Sequence, residues 1–357
     1  MGLPTIDIIF KTTAATAIQR SQKGVVGLIL KDGNQAAQGA KRLTAASEVP
    51  EALGEDNRGY VERAFLGYVT PPRAVVLYTL DSTAENLEGA LSYFATQEDV
   101  DYLCGPLDCT AQEAQAIAAW VKERRGEHSK VKAVLPNLAA DQEGVVNFTT
   151  GGIQAGGKTY STAAYCSRIA GLIAGTPMAI SCTYAPLPEV TDVTRLSRAE
   201  MDAAVDAGEF LLYHDGQKVK VARGVNSLTT FLPEKGKEYQ KIKIVETLDM
   251  ISTDIRRTAE DGYIGKYANS YDNKLLLVTA VKSYLENLEA AGILAAGTSQ
   301  VGIDLAAQEA YLKGTGVDTS SMSEQEIKEA LTGSKVMLET TIRPLDAIED
   351  ITIINHI

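Results

Sequence analysis

The chain has 357 residues, 45% of them apolar, and its 34 basic side chains against 46 acidic ones leave a formal net charge of -12. That length predicts two or three domains at ~150 residues each, and the acidic surplus excludes a surface that tracks phosphates with clustered Lys and Arg, so nucleic acid is not expected as a partner. Cys104, Cys109, Cys166 and Cys182 form no CxxC pair and are expected as buried apolar side chains in a reducing compartment, while the lack of a signal-peptide pattern or a run of ~20 apolar residues predicts neither export by a signal peptide nor membrane insertion.

Residues 5–10 alternate, with Ile6, Ile8 and Phe10 on one face. A polar stretch follows where a hairpin partner would stand, so this strand pairs elsewhere in its own subunit or with a neighbour. Short apolar runs at 25–30, 74–80, 100–104 and 131–135 then alternate with helical patterns at 60–68, 84–94 and 111–121, the last opened by a capping box of Thr110 with Glu113. Apolar runs of five or six residues separated by helices imply parallel strands joined by crossovers, hence an open α/β sheet.

Residues 152–159, Gly-Ile-Gln-Ala-Gly-Gly-Lys-Thr, satisfy the P-loop pattern after a strand-like run and before a helical stretch. On that pattern the chain would be a P-loop nucleotide-binding α/β enzyme. The same residues read equally well as a β-hairpin turning on Gly156 and Gly157. The run 210–215 ends on an aspartate followed by glycine between two alternating stretches, which suits a hairpin turn better than a magnesium-binding carboxylate. His128, His214 and His356 lie in a charged stretch, before a turn and next to the last residue. With no nucleophile elbow and no zinc-protease motif, no catalytic residue, cofactor or metal ligand is assigned.

A capping box of Ser197 with Glu200 starts a helix to about residue 207, where the main domain boundary is placed. A hairpin at 209–222 leads into a long amphipathic helix with Ile244, Leu248, Ile251, Ile255 and Thr258 on one face. A second helix starts near Tyr271, carries Leu277, Val281, Tyr284 and Leu288 on one stripe, and stops at Gly292. A strand at 301–305, a short helix at 308–313, a helix capped by Ser323 with Glu326 and a strand at 335–343 follow. The terminal residues 350–357 alternate again, with Ile351, Ile353 and Ile357 on one face, and such a strand needs a partner from this subunit or a neighbour.

Five blocks stand in this part of the chain: Ala-Arg-Gly-Val-Asn-Ser-Leu at 222–228, Lys-Ile-Lys-Ile-Val-Glu-Thr-Leu-Asp at 241–249, Asp-Ile-Arg at 254–256, Tyr-Ile-Gly-Lys at 263–266 and Asn-Ser-Tyr-Asp-Asn-Lys at 269–274. In this order they resemble the C-terminal domain of contractile phage tail sheath proteins, above all the compact sheaths of myovirus-like prophages and R-type bacteriocins. Arg-Ile-Ala-Gly-Leu-Ile-Ala-Gly-Thr-Pro at 168–177 resembles the family too. The resemblance implies an open α/β sheet domain at 21–207, an α+β sheath C-terminal domain at 208–343, and extended arms at 1–20 and 344–357. It implies a structural subunit rather than an enzyme, with no cofactor. Such a subunit assembles in the host cytoplasm into a helical homopolymer of hexameric rings. The rings surround the tail tube protein, between baseplate and tail terminator proteins, and contract in the virion tail to drive the tube through a target envelope.

Charge is unevenly spread. Residues 218–282 hold twelve basic and eight acidic side chains, a local balance of +4 that leaves -16 elsewhere (-12 minus 4). In the sheaths resembled, this domain faces the tube, so Lys241, Arg256 and Lys274 are expected to oppose acidic groups on the tube or on a neighbouring subunit; the plainer alternative is a solvated helix face.

Overall fold

The computed structural model describes residues 17, 18, 20 and 23–356. It divides into two compact units, one formed by the described residues of 22–249 and 346–357, the other by 250–345 with the described residues before 22. Ile6, Ile8, Phe10 and Ile357 lie outside the described residues.

The first unit is built on β1 (Val25–Asp32), whose sequence Val-Val-Gly-Leu-Ile-Leu is apolar on both faces because both are covered. An antiparallel edge strand, β2 (Gly39–Leu43), is followed by α1 (Glu55–Phe65), β3 (Ala74–Asp81), α2 (Glu88–Phe94), β4 (Tyr102–Cys104), α3 (Ala111–Gly126), β5 (Lys132–Pro136) and β6 (Val145–Phe148). Then come β7 (Ile153–Ala155), β8 (Lys158–Tyr160), α4 (Thr162–Ala174), β9 (Val190–Asp192), α5 (Arg198–Asp206), β10 (Glu209–Phe210), β11 (Leu212–His214) and β12 (Val219–Val221). Seven strands form one sheet in the order β10-β6-β5-β4-β1-β3-β2, parallel except for β2. Val26, Leu28 and Leu30 join one apolar core with α1 and α4, while Val25 and Ile29 join a second with α2 and α3. The sheet is thus sandwiched between helical layers, as the alternation of strand and helix predicts.

Close packing explains one of the sequence blocks. A Cβ on Gly171 of α4 would stand 1.9 Å from the Ala64 carbonyl oxygen of α1, so only glycine lets these two helices approach. From the same block, Arg168 is buried with its Nε 2.6 Å from Glu189 and its guanidinium donating to the Gly67 carbonyl.

The sequence boundary at 208 differs from the structural division. Glu209 and Phe210 form β10, which adds in parallel to β6, so the β11–β12 hairpin stays with the first unit. The division falls instead within α6 (Ile242–Gly262), a continuous helix whose periodicity carries no sign of it. Strand β2 was also not foreseen. Its Gly-Ala-Lys-Arg-Leu lacks an apolar run because it is an edge strand, and its charges guard an edge with no strand partner among the described residues.

In the second unit, α7 (Tyr271–Ala290) buries Val281, Tyr284, Leu285 and Leu288, while Leu277 is only half-buried. The Tyr284 hydroxyl donates to Asp254 Oδ2 of α6 at 2.6 Å. β13 (Gln300–Ile303) ends where Asp304 caps α8 (Leu305–Gly314), so Leu305 is helical and the strand is shorter than expected. α9 (Glu324–Glu329) follows its Ser323/Glu326 capping box, and β14 (Leu338–Thr341) returns antiparallel to β13.

Candidate assembly surface

The first two turns of α6 are buried on nearly every side, which corrects the expectation of a single apolar face: Lys243, Glu246 and Asp249 are buried with Ile242, Ile244 and Val245. A buried charge needs partners, and the start of the sheet supplies them. Asp249 accepts from Arg125 at 2.8 and 3.1 Å and from Lys132 at 3.2 Å. Glu246 pairs with Lys23 and takes the Tyr102 hydroxyl, with Lys132 3.8 Å away. Burial alone would raise the Asp249 carboxyl, but the Lys132 ammonium and the Arg125 guanidinium outweigh it and hold the group below its ordinary 3.8.

The block 222–228 is a set of local anchors. The Asn226 amide donates to the Tyr239 carbonyl, its oxygen accepts from Leu228 N, and the Ser227 hydroxyl donates to the Gln142 carbonyl. Arg223 reaches the C-terminal segment, pairing with Asp350 at 2.6 Å.

That segment leaves the second unit at Leu345, whose amide donates to the Ile293 carbonyl. Residues 346–350 are held by side chains of the first unit. Beyond them, residues 351–356 have no regular structure and pair with no strand among the described residues. Ile348, Ile351, Ile353 and Ile354 are 87, 74, 75 and 76% exposed. Covering an isoleucine stabilises by about 1.5–3 kcal/mol, so four in one short arm are a strong drive toward a surface not supplied by the described part of the subunit. The ribbon β13–β14 has only two strands, and each has an outer edge without a strand partner among the described residues.

Of the three charges expected to face outward, Lys274 is turned inward. It is 2% exposed and donates to Gln308 Oε1 at 3.2 Å and the Ala330 carbonyl at 3.1 Å, and burial lowers its ammonium below the ordinary range. This corrects its placement on a polar helix face: a lysine at that spacing serves the contact of α7 with α8 and α9. Lys241 is spent within the chain on Glu349 and Asp346, at 2.6 and 2.7 Å. Arg256 is half-buried on α6.

The P-loop residues form the hairpin β7–β8, with Gly156 and Gly157 at φ 57° and 75°, the left-handed pair that a tight hairpin turn needs. Lys158 pairs with Glu55 at 3.0 Å on the surface, and Ser161 caps α4 by accepting from Ala164 N. Asp215 likewise accepts from Gln217 N and Lys218 N within a hairpin turn, and His214 Nδ1 accepts from Gly216 N. Cys104, Cys166 and Cys182 are buried, with thiols raised by burial, whereas Cys109 is half-buried, short of the full burial expected. Among the described residues no cluster of metal-binding side chains occurs, and no helix is long and apolar enough to cross a membrane.

Residues 81–227 match the sequence model of the phage tail sheath protein central domain, and residues 234–357 match that of the phage tail sheath C-terminal domain. The chain belongs to the phage tail sheath protein family. The tail sheath protein of Clostridium phage phiCD119 is 40% identical over 360 residues, covering 99% of this chain and 98% of that one. Among solved structures, the sheath tail protein of Desulfitobacterium hafniense aligns with a TM-score of 0.71 at 19% identity, over 96% of this chain and 100% of that one. The helical sheath of the anti-feeding prophage in its contracted state aligns with a TM-score of 0.73 at 14% identity, over 100% and 99%. These two share the fold of this sheath protein, an open α/β sheet with a separate α+β C-terminal part. Proteins of this family are structural subunits of contractile tails, so the sheath protein is not an enzyme and the nucleotide-binding alternative falls.

Proposed function

We propose that this tail sheath protein polymerises with itself as stacked hexameric rings around a tail tube, between a baseplate and a tail terminator, and that its contraction drives the tube through a target envelope. The anti-feeding prophage sheath, solved as a contracted helical assembly, supports the reading by its likeness in fold. Assembly in the host cytoplasm and residence in the virion tail follow from it. Such head-to-tail contacts do not close along the axis and give an open helical polymer.

The observation that carries the proposal is an exposed, isoleucine-rich C-terminal arm that, among the described residues, has no strand partner, on a subunit whose β13–β14 ribbon has outer edges likewise unpaired among the described residues. Main-chain hydrogen bonds to a neighbour's edge would hold the arm, and alternate isoleucines would set its register. Residues 1–20, with Ile6, Ile8 and Phe10, form the matching N-terminal arm in this proposal. The links bend while the rigid units repack, and contraction draws on the extra surface buried in the second packing.

Deleting residues 351–357 tests the arm. The shortened chain is expected to unfold at a near-normal temperature and to form no polymer with its tube protein, because edge pairing lies outside the cores. Polymers formed by the shortened chain would show the arm to be dispensable, and loss of folding would place it within the core.

A further inference from the structure

Near each end of the described chain a charged contact reaches the start of α6: Lys23 pairs with Glu246, and Glu349 pairs with Lys241 just before the helix. On the N-terminal side, Asp101 Oδ2 accepts from the amides of Gly24 and Val25 at 2.7 and 2.9 Å, and Lys23 pairs with Glu246 of α6. On the C-terminal side, the central group is Glu349. Its side chain is 3% exposed although the arm around it is open. Oε1 accepts from the Thr183 hydroxyl at 2.5 Å, with the Ser181 hydroxyl 3.2 Å away. Oε2 accepts from Lys241 at 2.6 Å and lies 3.6 Å from Arg223. The flanking Asp346 and Asp350 take the same two cations, at 2.7 and 2.6 Å.

This arrangement exceeds what a chain end needs in order to lie on a surface. Burial works against the Lys241 ammonium, yet Asp346 and Glu349 raise it above its ordinary value, so it stays charged. Three acidic side chains within five residues engage two cations that stand in sheath-like blocks, Arg223 second in 222–228 and Lys241 first in 241–249. We infer that Glu349 is a positioning residue for assembly: it clamps the root of the C-terminal arm to the Arg223/Lys241 pair, fixing where the exposed isoleucines 351, 353 and 354 leave the subunit. The inference rests on the arm-exchange reading and adds to it a fixed point of departure. A free arm must find its edge from a broad distribution of positions, whereas a clamped one meets it at a higher effective concentration.

The test uses the full-length protein carrying Glu349→Gln, which keeps the size of the side chain, and separately Lys241→Met, which removes the facing cation. Limited digestion with a protease that cuts before aspartate reads the clamp in the monomer through cleavage at Asp346 and Asp350. Polymerisation with the tube protein reads its consequence. Both variants are expected to be cut at least ten-fold faster at these two sites, with unchanged thermal unfolding, and to need at least a ten-fold higher concentration to polymerise. Unchanged cleavage in both variants overturns the inference. Faster cleavage with wild-type polymerisation also overturns it, and leaves the arm-exchange reading intact if deletion of 351–357 still abolishes polymers. Polymers from the deletion chain would instead overturn the arm-exchange reading itself.

Discussion

Asp249 shows how a single side chain in a sheath-like block acts through distant partners. Arg125 and Lys132 lie more than a hundred positions upstream, and removing the carboxylate leaves both cations buried without it. Asp249→Ala is expected to cost about 3–5 kcal/mol, read as a lower denaturant midpoint. Because the folded carboxyl titrates below its ordinary 3.8, the pair's contribution is fully present above about pH 4 and is lost as pH falls through the depressed folded value. Stability of the wild type against Asp249→Asn should therefore converge in strong acid; a gap that persists there would contradict the assignment. At Lys158 the expectation is the reverse. Its pair with Glu55 is exposed, so Lys158→Ala should leave stability and assembly unchanged, and calorimetry with ATP and magnesium should show no binding heat. Sequence reading offered the hairpin at Gly156 and Gly157 that the structure contains, since a Gly-Gly turn is a local property. It misplaced Lys274 and left the partners of Lys241 unseen, since neither burial nor a partner 108 residues away leaves a mark in the local pattern.

Elements defined by local chemistry were legible. The capping boxes at Thr110, Ser197 and Ser323 are all formed, and the long helices and parallel strands lie near their expected places. Elements defined by distant pairing were not. β10 is two residues long, β2 is polar, and the division inside α6 depends on contacts that no helical periodicity encodes. The resemblance at 168–177 gains a cause in the crossing of α1 and α4. Gly171→Val should destabilise by about 1–3 kcal/mol or more, because the backbone of Ala64 cannot move aside as a flexible side chain would. A denaturant midpoint equal to wild type would show that the helices separate easily, contrary to the packing described.

For the whole molecule, the basic excess of residues 218–282 is partly consumed within the chain by Lys241, while Lys274 is buried. That Arg256, half-buried on α6, opposes acidic groups on the tube or a neighbour is a proposal, and salt dependence tests it. Assembly guided by charge should slow steeply between 0.1 and 1 M salt, where the Debye length falls from ~10 to ~3 Å, and Arg256→Glu should flatten that dependence. Rates flat in salt for the wild type would leave apolar packing and arm exchange as the whole account. The central claim, that subunits are joined by exchanged arms, is tested most directly by an electron cryomicroscopy reconstruction of the assembled sheath on its tube. The account predicts rings of six in which residues 351–356 form a strand on the β13–β14 ribbon of a neighbouring copy. Arms folded back onto their own subunit in a polymer of this protein would contradict it.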